Sequence, residues 1–350
     1  MPREIVVTTG SRLHFGFLSC KPPCDRQFGG AGLMIDSPGY EIAVRESNCF
    51  SVIGSPAIQT RVETLAIACT RSKVETPLPL REGLGEGRDA GCFQAARNDF
   101  SQGAPPPVAI EVRSEIPSHA GLGSGTQLAL AVAAALSALH GREDINPDSL
   151  AICTARGARS ALGIHGFQRG GFLVDAGKYG DNEIGTLAAR ADFPATWRML
   201  LVTPKIETGL SGAHEQDAFA RLPPMPRAQT DQLCGIALTE LLPAVIDADF
   251  DRCGEALYEF GSIVGNYFAP VQGGTYASPS TAELVEHLRA SGVRGVGQTS
   301  WGPTIFALCR DDGEAAKLSA DLQADTRWSD CQFRIAAAKN TGAQMRAADI

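Results

Sequence analysis

A chain of 350 residues with 44% hydrophobic and 20% charged residues has globular composition and enough apolar material for two packed lobes, which argues against a disordered chain. Its formal net charge of −8 lacks the basic excess with which nucleic-acid binders neutralise phosphates, so no nucleic-acid partner is expected, although a local arginine cluster can still hold a small anion. The opening MPREIVVTTG has neither the basic stretch nor the apolar run of a secretory signal, and the uncharged stretch 116–141 is interrupted by Pro117, Ser118, His119 and a glycine loop, so a cytoplasmic protein without a membrane span is expected.

In chain order, β-branched and alternating residues predict strands over 4–18, 40–45 and 108–113. Residues 83–107, rich in Gly and Pro, read as loops around one helix. Residues 126–139 are charge-free and alanine-rich, which predicts a helix buried on every side and closed by Gly141. A second helix is expected over 148–162, then a strand in GGFLVDAG and another over 197–203. Helices over 230–260 and 281–291 and strands over 304–308 and 332–338 complete the reading. The division falls near 190–196, giving lobes 1–193 and 194–350. The ten cysteines show no paired CxxC spacing and read as free thiols; CKPPC at Cys20 and Cys24 offers two ligands, too few for a closed metal site.

The strongest local signal is PSHAGLGSGTQLALAVAAAL, residues 117–136, where a strand, a glycine turn and a buried helix follow one another. Gly121, Gly123 and Gly125 let the backbone approach a ligand, the free amides and dipole at the helix start favour a phosphate, and Ser124 and Thr126 add hydroxyl donors. The loop lacks the GK[ST] ending of a Walker A motif and is not a GxGxxG dinucleotide fingerprint.

This loop resembles the phosphate-binding second motif of the GHMP superfamily of small-molecule kinases. SRLHFGFL (11–18), RQFGGAGLMID (26–36), GIHGFQRGGFLVDAG (163–177), GLSGAHEQDAF (209–219), APVQGGTYAS (269–278) and GVGQTSWGPTIFAL (295–308) look like the β-ribofuranosylaminobenzene 5′-phosphate synthase family. The resemblance implies a two-lobed α+β fold, with a first lobe like ribosomal protein S5 domain 2 and a ferredoxin-like second lobe, assembled as a homodimer. It also implies the joining of phosphoribosyl pyrophosphate to 4-aminobenzoate or 4-hydroxybenzoate with loss of pyrophosphate and carbon dioxide, assisted by Mg²⁺ and no organic cofactor. Two segments depart from the kinases: LGIHG places His165 where they carry the Asp of SGIDN, and Trp301 stands in their third glycine run.

On this reading Gly121, Gly123, Ser124, Gly125 and Thr126 hold the pyrophosphate, with His119 beside them. Arg12 and His14, two apart on one strand face, join Arg26 as a cationic pocket for the 5′-phosphate or the carboxylate, and Arg169 is a similar candidate. His165 is a candidate for orienting the aromatic acid, Trp301 for stacking on its ring, and Gln298 and Ser300 for polar contacts. Asp175 and Glu215 are the candidate catalytic or Mg²⁺-binding carboxylates. An ATP-dependent kinase for a small alcohol and a non-catalytic ligand sensor on the same fold are the alternatives.

Overall fold

Two long strands organise the first lobe of the computed structural model, which describes residues 3–21, 26–71, 105–142, 146–180, 183–205 and 212–349. β1 (Arg3–Gly16) and β2 (Gly30–Glu46) pair antiparallel from Glu4 opposite Arg45 to Gly16 opposite Ala31. Their hydrophobic alternation is weak because β1 is covered on both faces: only its first residue is exposed. β4 (Val108–Ser114) lies along the later half of β2 and β5 (Phe172–Asp175) along its earlier half. β3 (Ser51–Ile53) adds parallel to β4, and β6 (Leu187–Ala191) adds antiparallel to β5. The last strand, β11 (Gln344–Asp349), returns to pair with β1.

The second sheet holds β7 (Arg198–Pro204), β8 (Val296–Gln298), β9 (Ile305–Cys309) and β10 (Cys331–Ala337) in the order β10-β7-β9-β8, all antiparallel. Numbered from its own start, this lobe runs four-one-three-two, the order of the expected ferredoxin-like sheet. α9 (Pro279–Ala290) and α10 (Asp312–Ala324) pack on it, and α8 (Phe250–Gln272) touches both β1 and β8, so one helix ties the lobes. The expected α+β, two-lobed architecture is what the chain forms. No helix among the described residues is long and apolar enough to cross a membrane.

α2 (Ser124–Leu139) is the predicted apolar helix, buried along nearly its whole length against β1 and β2 and stopped by Gly141 at φ +75°. Its one long polar side chain, Gln127, is fully buried and satisfied: it accepts from Thr9 Oγ1 at 2.5 Å and donates to the Gly163 carbonyl at 2.8 Å.

The expected helix over 148–162 forms only as far as Cys153. α3 (Pro147–Cys153), capped by Asn146, stops where Ala155 and Gly157 adopt positive φ, and α4 (Leu162–Arg169) begins after a turn. The run over 230–260 is also divided. α6 (Arg227–Gly235) passes through a π turn, 236–241, into α7 (Leu242–Ile246), and Ala248 at φ +54° breaks the chain before Asp249 caps α8. The helices α1 (Pro56–Arg71) and α5 (Gly212–Arg221) were not read from the sequence, nor was α10. Most of the glycine- and proline-rich stretch 83–107 lies outside the described residues, as does Cys24; Cys20, Cys49, Cys69, Cys153, Cys253 and Cys309 are free thiols.

Candidate functional site

The glycine loop is held at Gly121 and Leu122 by β1 and by the turn between β8 and β9, which are themselves tied together. Arg12 N donates to Leu122 O at 3.0 Å, and Ser300 N donates to His14 O at 2.9 Å. Between them the fully buried Thr299 hydroxyl accepts from His14 N (2.9 Å) and donates to Gly121 O (2.9 Å). One side chain of the second lobe thus fixes both the strand carrying Arg12 and the loop that opens α2. Gly121 lies at φ +76° against the Thr299 carbonyl, and Gly123 at φ +73° immediately precedes the helix.

Arginines gather around that first turn. A Cβ on Gly123 would sit 3.1 Å from Arg12 Nε, and one on Gly125 would sit 3.2 Å from Arg156 Nη1. Burial lowers the Arg12 guanidinium to about 10, with Glu215 opposing the shift. Arg156 is lowered by burial and then by the charge of Arg61, which itself donates to Ser118 Oγ at 2.6 Å. Neither Arg12 nor Arg156 has a carboxylate within ion-pair distance among the described residues. Arg61, Arg156 and Arg159 were missed at the sequence level; the only signal was ARGARS (155–160) directly before LGIHG.

His14 is 2% exposed with Nε2 unpartnered, and burial, then the neighbouring Arg12 charge, holds its pKa well below 6.5. It lines a cavity of about 30 Å³ together with Phe268, Gln272, Gln298, Ser300 and Trp301. That volume suits a water molecule, not a benzoate ring. Gln298 spends its amide on Ala277 N and Ser300 O. Trp301 packs against Phe268 (4.5 Å between centroids) and Phe219 (5.4 Å), and its indole donates to Glu215 Oε1 at 3.1 Å. The indole is therefore a core side chain in this conformation, without a free face for the ring expected to stack there. Glu215 also pairs with Arg159 at 2.6 Å.

The other sequence candidates lie apart from the arginine cluster or are engaged. Asp175 is fully buried; Oδ2 accepts from Ala161 N at 2.7 Å and Oδ1 from Gly177 N at 2.8 Å, while burial raises its pKa against those bonds. Arg26 donates to Ala176 O, Gly177 O and Thr186 Oγ1 at 2.7–2.9 Å, which makes it a clamp on the loop after β5. His165 Nε2 lies 2.7 Å from Gly185 O and donates there. Arg169 is exposed at the end of α4, and His119 is exposed in the turn before the loop at φ +59°. Among the described residues no group of three or more His, Cys, Asp or Glu is placed to hold a metal, and the two carboxylates singled out for Mg²⁺ have their oxygens occupied.

The GHMP kinases N terminal domain model matches residues 90–172 and the GHMP kinases C terminal model residues 241–326. A β-ribofuranosylphenol 5′-phosphate synthase of Methanothermobacter thermautotrophicus is 27% identical over 98% of this chain and 98% of its own. Proteins of the same name from Archaeoglobus fulgidus and Methanocaldococcus jannaschii are 27% and 29% identical, over 96% and 87% of this chain and 98% and 89% of theirs. Among solved structures, a homoserine kinase of Cytophaga hutchinsonii superposes with a TM-score of 0.62 at 18% identity, covering 98% of this chain and 97% of that one. Mevalonate-3-kinase of Thermoplasma acidophilum superposes with a TM-score of 0.59 at 14% identity, covering 99% of each, so the kinases share the fold alone. Both domain matches and these full-length relatives point the same way: the chain matches the two GHMP kinase domain models in order, and its end-to-end similarity is to β-ribofuranosylphenol 5′-phosphate synthases.

Proposed function

We propose that this protein is a pentosyltransferase that condenses phosphoribosyl pyrophosphate with 4-hydroxybenzoate or 4-aminobenzoate, releasing pyrophosphate and carbon dioxide and forming a C-riboside 5′-phosphate. The observation that carries the reading is end-to-end similarity to proteins named for that product. In the reaction the bond from ribose C1 to the pyrophosphate oxygen breaks, and the ring carbon bearing the carboxylate bonds to C1. The bond from ring to carboxylate then breaks as carbon dioxide leaves, its electron pair restoring aromaticity. The para hydroxyl or amino group feeds electrons to that carbon.

The difficult charge is the one that develops on the departing pyrophosphate. Amides at the start of α2, the Ser124 and Thr126 hydroxyls and the Arg12 guanidinium face that task as preorganised donors, which act most strongly where water is excluded. Asp175 and Glu215 do not fit a metal in their present bonding, so no step is assigned to Mg²⁺ held by them. The nucleophile is a ring carbon with no proton to remove, which agrees with an imidazole, His165, spent on a backbone carbonyl where the kinases carry a carboxylate.

Incubation with phosphoribosyl pyrophosphate and either carboxyl-labelled benzoate is expected to release pyrophosphate and labelled carbon dioxide in equal amounts, with no ADP formed from ATP and small alcohols. ADP tied to an alcohol substrate, with no carbon dioxide from either acid, would refute the reading.

A further inference from the structure

Glycines are expected in a loop that brings backbone amides to a phosphate, yet here two of them serve the side chains as well. The Cβ positions of Gly123 and Gly125 are the places against which Arg12 and Arg156 lie, at 3.1 and 3.2 Å, so guanidinium groups flank the first turn of α2 on two sides. Arg12 comes from β1 and Arg156 from the turn after α3, and Arg61 of α1 stands near enough to Arg156 to repel it. Tyr40 of β2, whose hydroxyl donates to Ile116 O at 3.4 Å, neighbours both Arg61 and Ser124. Four separate elements thus bring cationic and hydroxyl groups to one helix start.

The cluster contains no ion pair of its own among the described residues. Arg156 Nε is shielded from solvent with no acceptor, and no carboxylate pairs with Arg12, Arg61 or Arg156 among the described residues. Glu215, the nearest counter-charge to Arg12, is already shared by Arg159 and Trp301. All three arginines are half-buried, and guanidinium groups brought together at one helix start repel one another, a repulsion that a bound anion relieves. Planar forks around converging amides match an anion of several charges with oxygens spread over two centres, a diphosphate rather than a carboxylate.

We propose that Arg61 and Arg156, with Arg12 and the first-turn amides of α2, form the seat of a substrate diphosphate. Within the synthase reading, which this inference builds on, that group is the pyrophosphate of phosphoribosyl pyrophosphate, and the two arginines decide that the loop takes a diphosphate ester.

The test is calorimetric titration of the full chain with inorganic pyrophosphate, beside thermal melts for folding. Arg156→Met and Arg61→Gln are each expected to raise Kd about 10- to 100-fold, the weight of one lost charge-assisted bond set. Arg156→Lys, which keeps the charge and loses the fork, should fall between, and Lys317→Ala on the exposed face of α10 should leave Kd unchanged. If Arg156→Met does not fold, Arg156→Lys and Arg61→Gln carry the comparison. Wild-type Kd in the folded variants, or no pyrophosphate binding by the wild type, overturns the proposal. Loss of pyrophosphate binding in the variants, in a protein that never releases carbon dioxide from the benzoates, would uphold the seat while removing the synthase reading. Turnover with unaltered binding in the variants would do the reverse.

Discussion

Gly121 and Gly123 stand two residues apart with nearly the same backbone conformation, φ +76° and +73°, yet adding one methyl group to each should have different consequences. Either Gly→Ala change forces a left-handed residue, costing about 1–2 kcal/mol. At Gly121 the new Cβ would overlap the Thr299 carbonyl oxygen and stand 3.1 Å from Gly302 O, both backbone atoms of the opposite lobe. The loop must withdraw, and the Thr299 Oγ1 to Gly121 O and Gly302 N to Thr299 O bonds, each 2.9 Å, are strained or lost. At about 1 kcal/mol apiece plus the conformational term, the total is about 3–4 kcal/mol, a large part of the about 5–15 kcal/mol that holds a typical fold. With an unfolding entropy of about 2.1 cal/mol/K per residue over 350 residues, Tm falls about 4–5 °C. At Gly123 the obstacle is the side chain of Arg12, which can swing aside, so Gly123→Ala should lower Tm by about 1–3 °C, the conformational term alone. Displacing Arg12 should nevertheless weaken pyrophosphate binding at least about tenfold. Differential scanning calorimetry and pyrophosphate titration of both variants read these quantities. Equal Tm losses, or undiminished binding in Gly123→Ala, would refute the division of labour between the two glycines.

His14 stays neutral in the folded protein and takes a proton near pH 6.5 once unfolded, so the unfolded state binds more protons as pH falls and stability declines below about 6.5. Urea unfolding between pH 5 and 6.5 should therefore show a slope up to about 1.4 kcal/mol per pH unit steeper for the wild type than for His14→Gln; parallel slopes would show that His14 protonates inside the fold. Arg26→Ala removes three bonds to the loop after β5 and should lower Tm while shifting KM for both substrates within about threefold of each other. A large rise in KM for one substrate alone would make Arg26 a direct clamp. Glu215→Gln strips counter-charge from Arg12 and Arg159, so pyrophosphate should bind a few-fold tighter, about 1 kcal/mol or less. Weaker binding in the presence of Mg²⁺ would place the carboxylate on a metal carried with the diphosphate.

The features legible in the sequence are those with a local cause. Residues 126–139 carry no charge because α2 is enclosed, and Gly141 follows because the helix must turn left-handed to stop. The glycine loop was legible for the same reason, since left-handed residues and close approaches leave a compositional trace. Arg156 left no such trace: its position depends on a turn at Ala155 and Gly157 in what reads as a continuous helix, and on α1, whose weak apolar stripe was overlooked. The engagement of Asp175 and Arg26 was equally hidden, because their partners are backbone amides and carbonyls, which every sequence supplies. Trp301 was singled out for its residue type, but its aromatic neighbours Phe219 and Phe268 lie 82 and 33 positions away, beyond the reach of any local pattern.

The return of β11 to β1, with Arg3 opposite Asp349, constrains the order in which the protein is built. During synthesis the ribosome delivers β1 first, but the strand that completes one side of it arrives only after the whole second lobe has emerged. Until then β1 presents an unpaired edge to whatever else is in solution, with buried-type residues such as Ile5 and Val7 beside it. Contacts this distant along the chain also slow the search for the native state, since the loop must close before the pairing rewards it. Nascent chains stalled before residue 344 should accordingly aggregate or recruit holdase chaperones, whereas chains released after 349 should not.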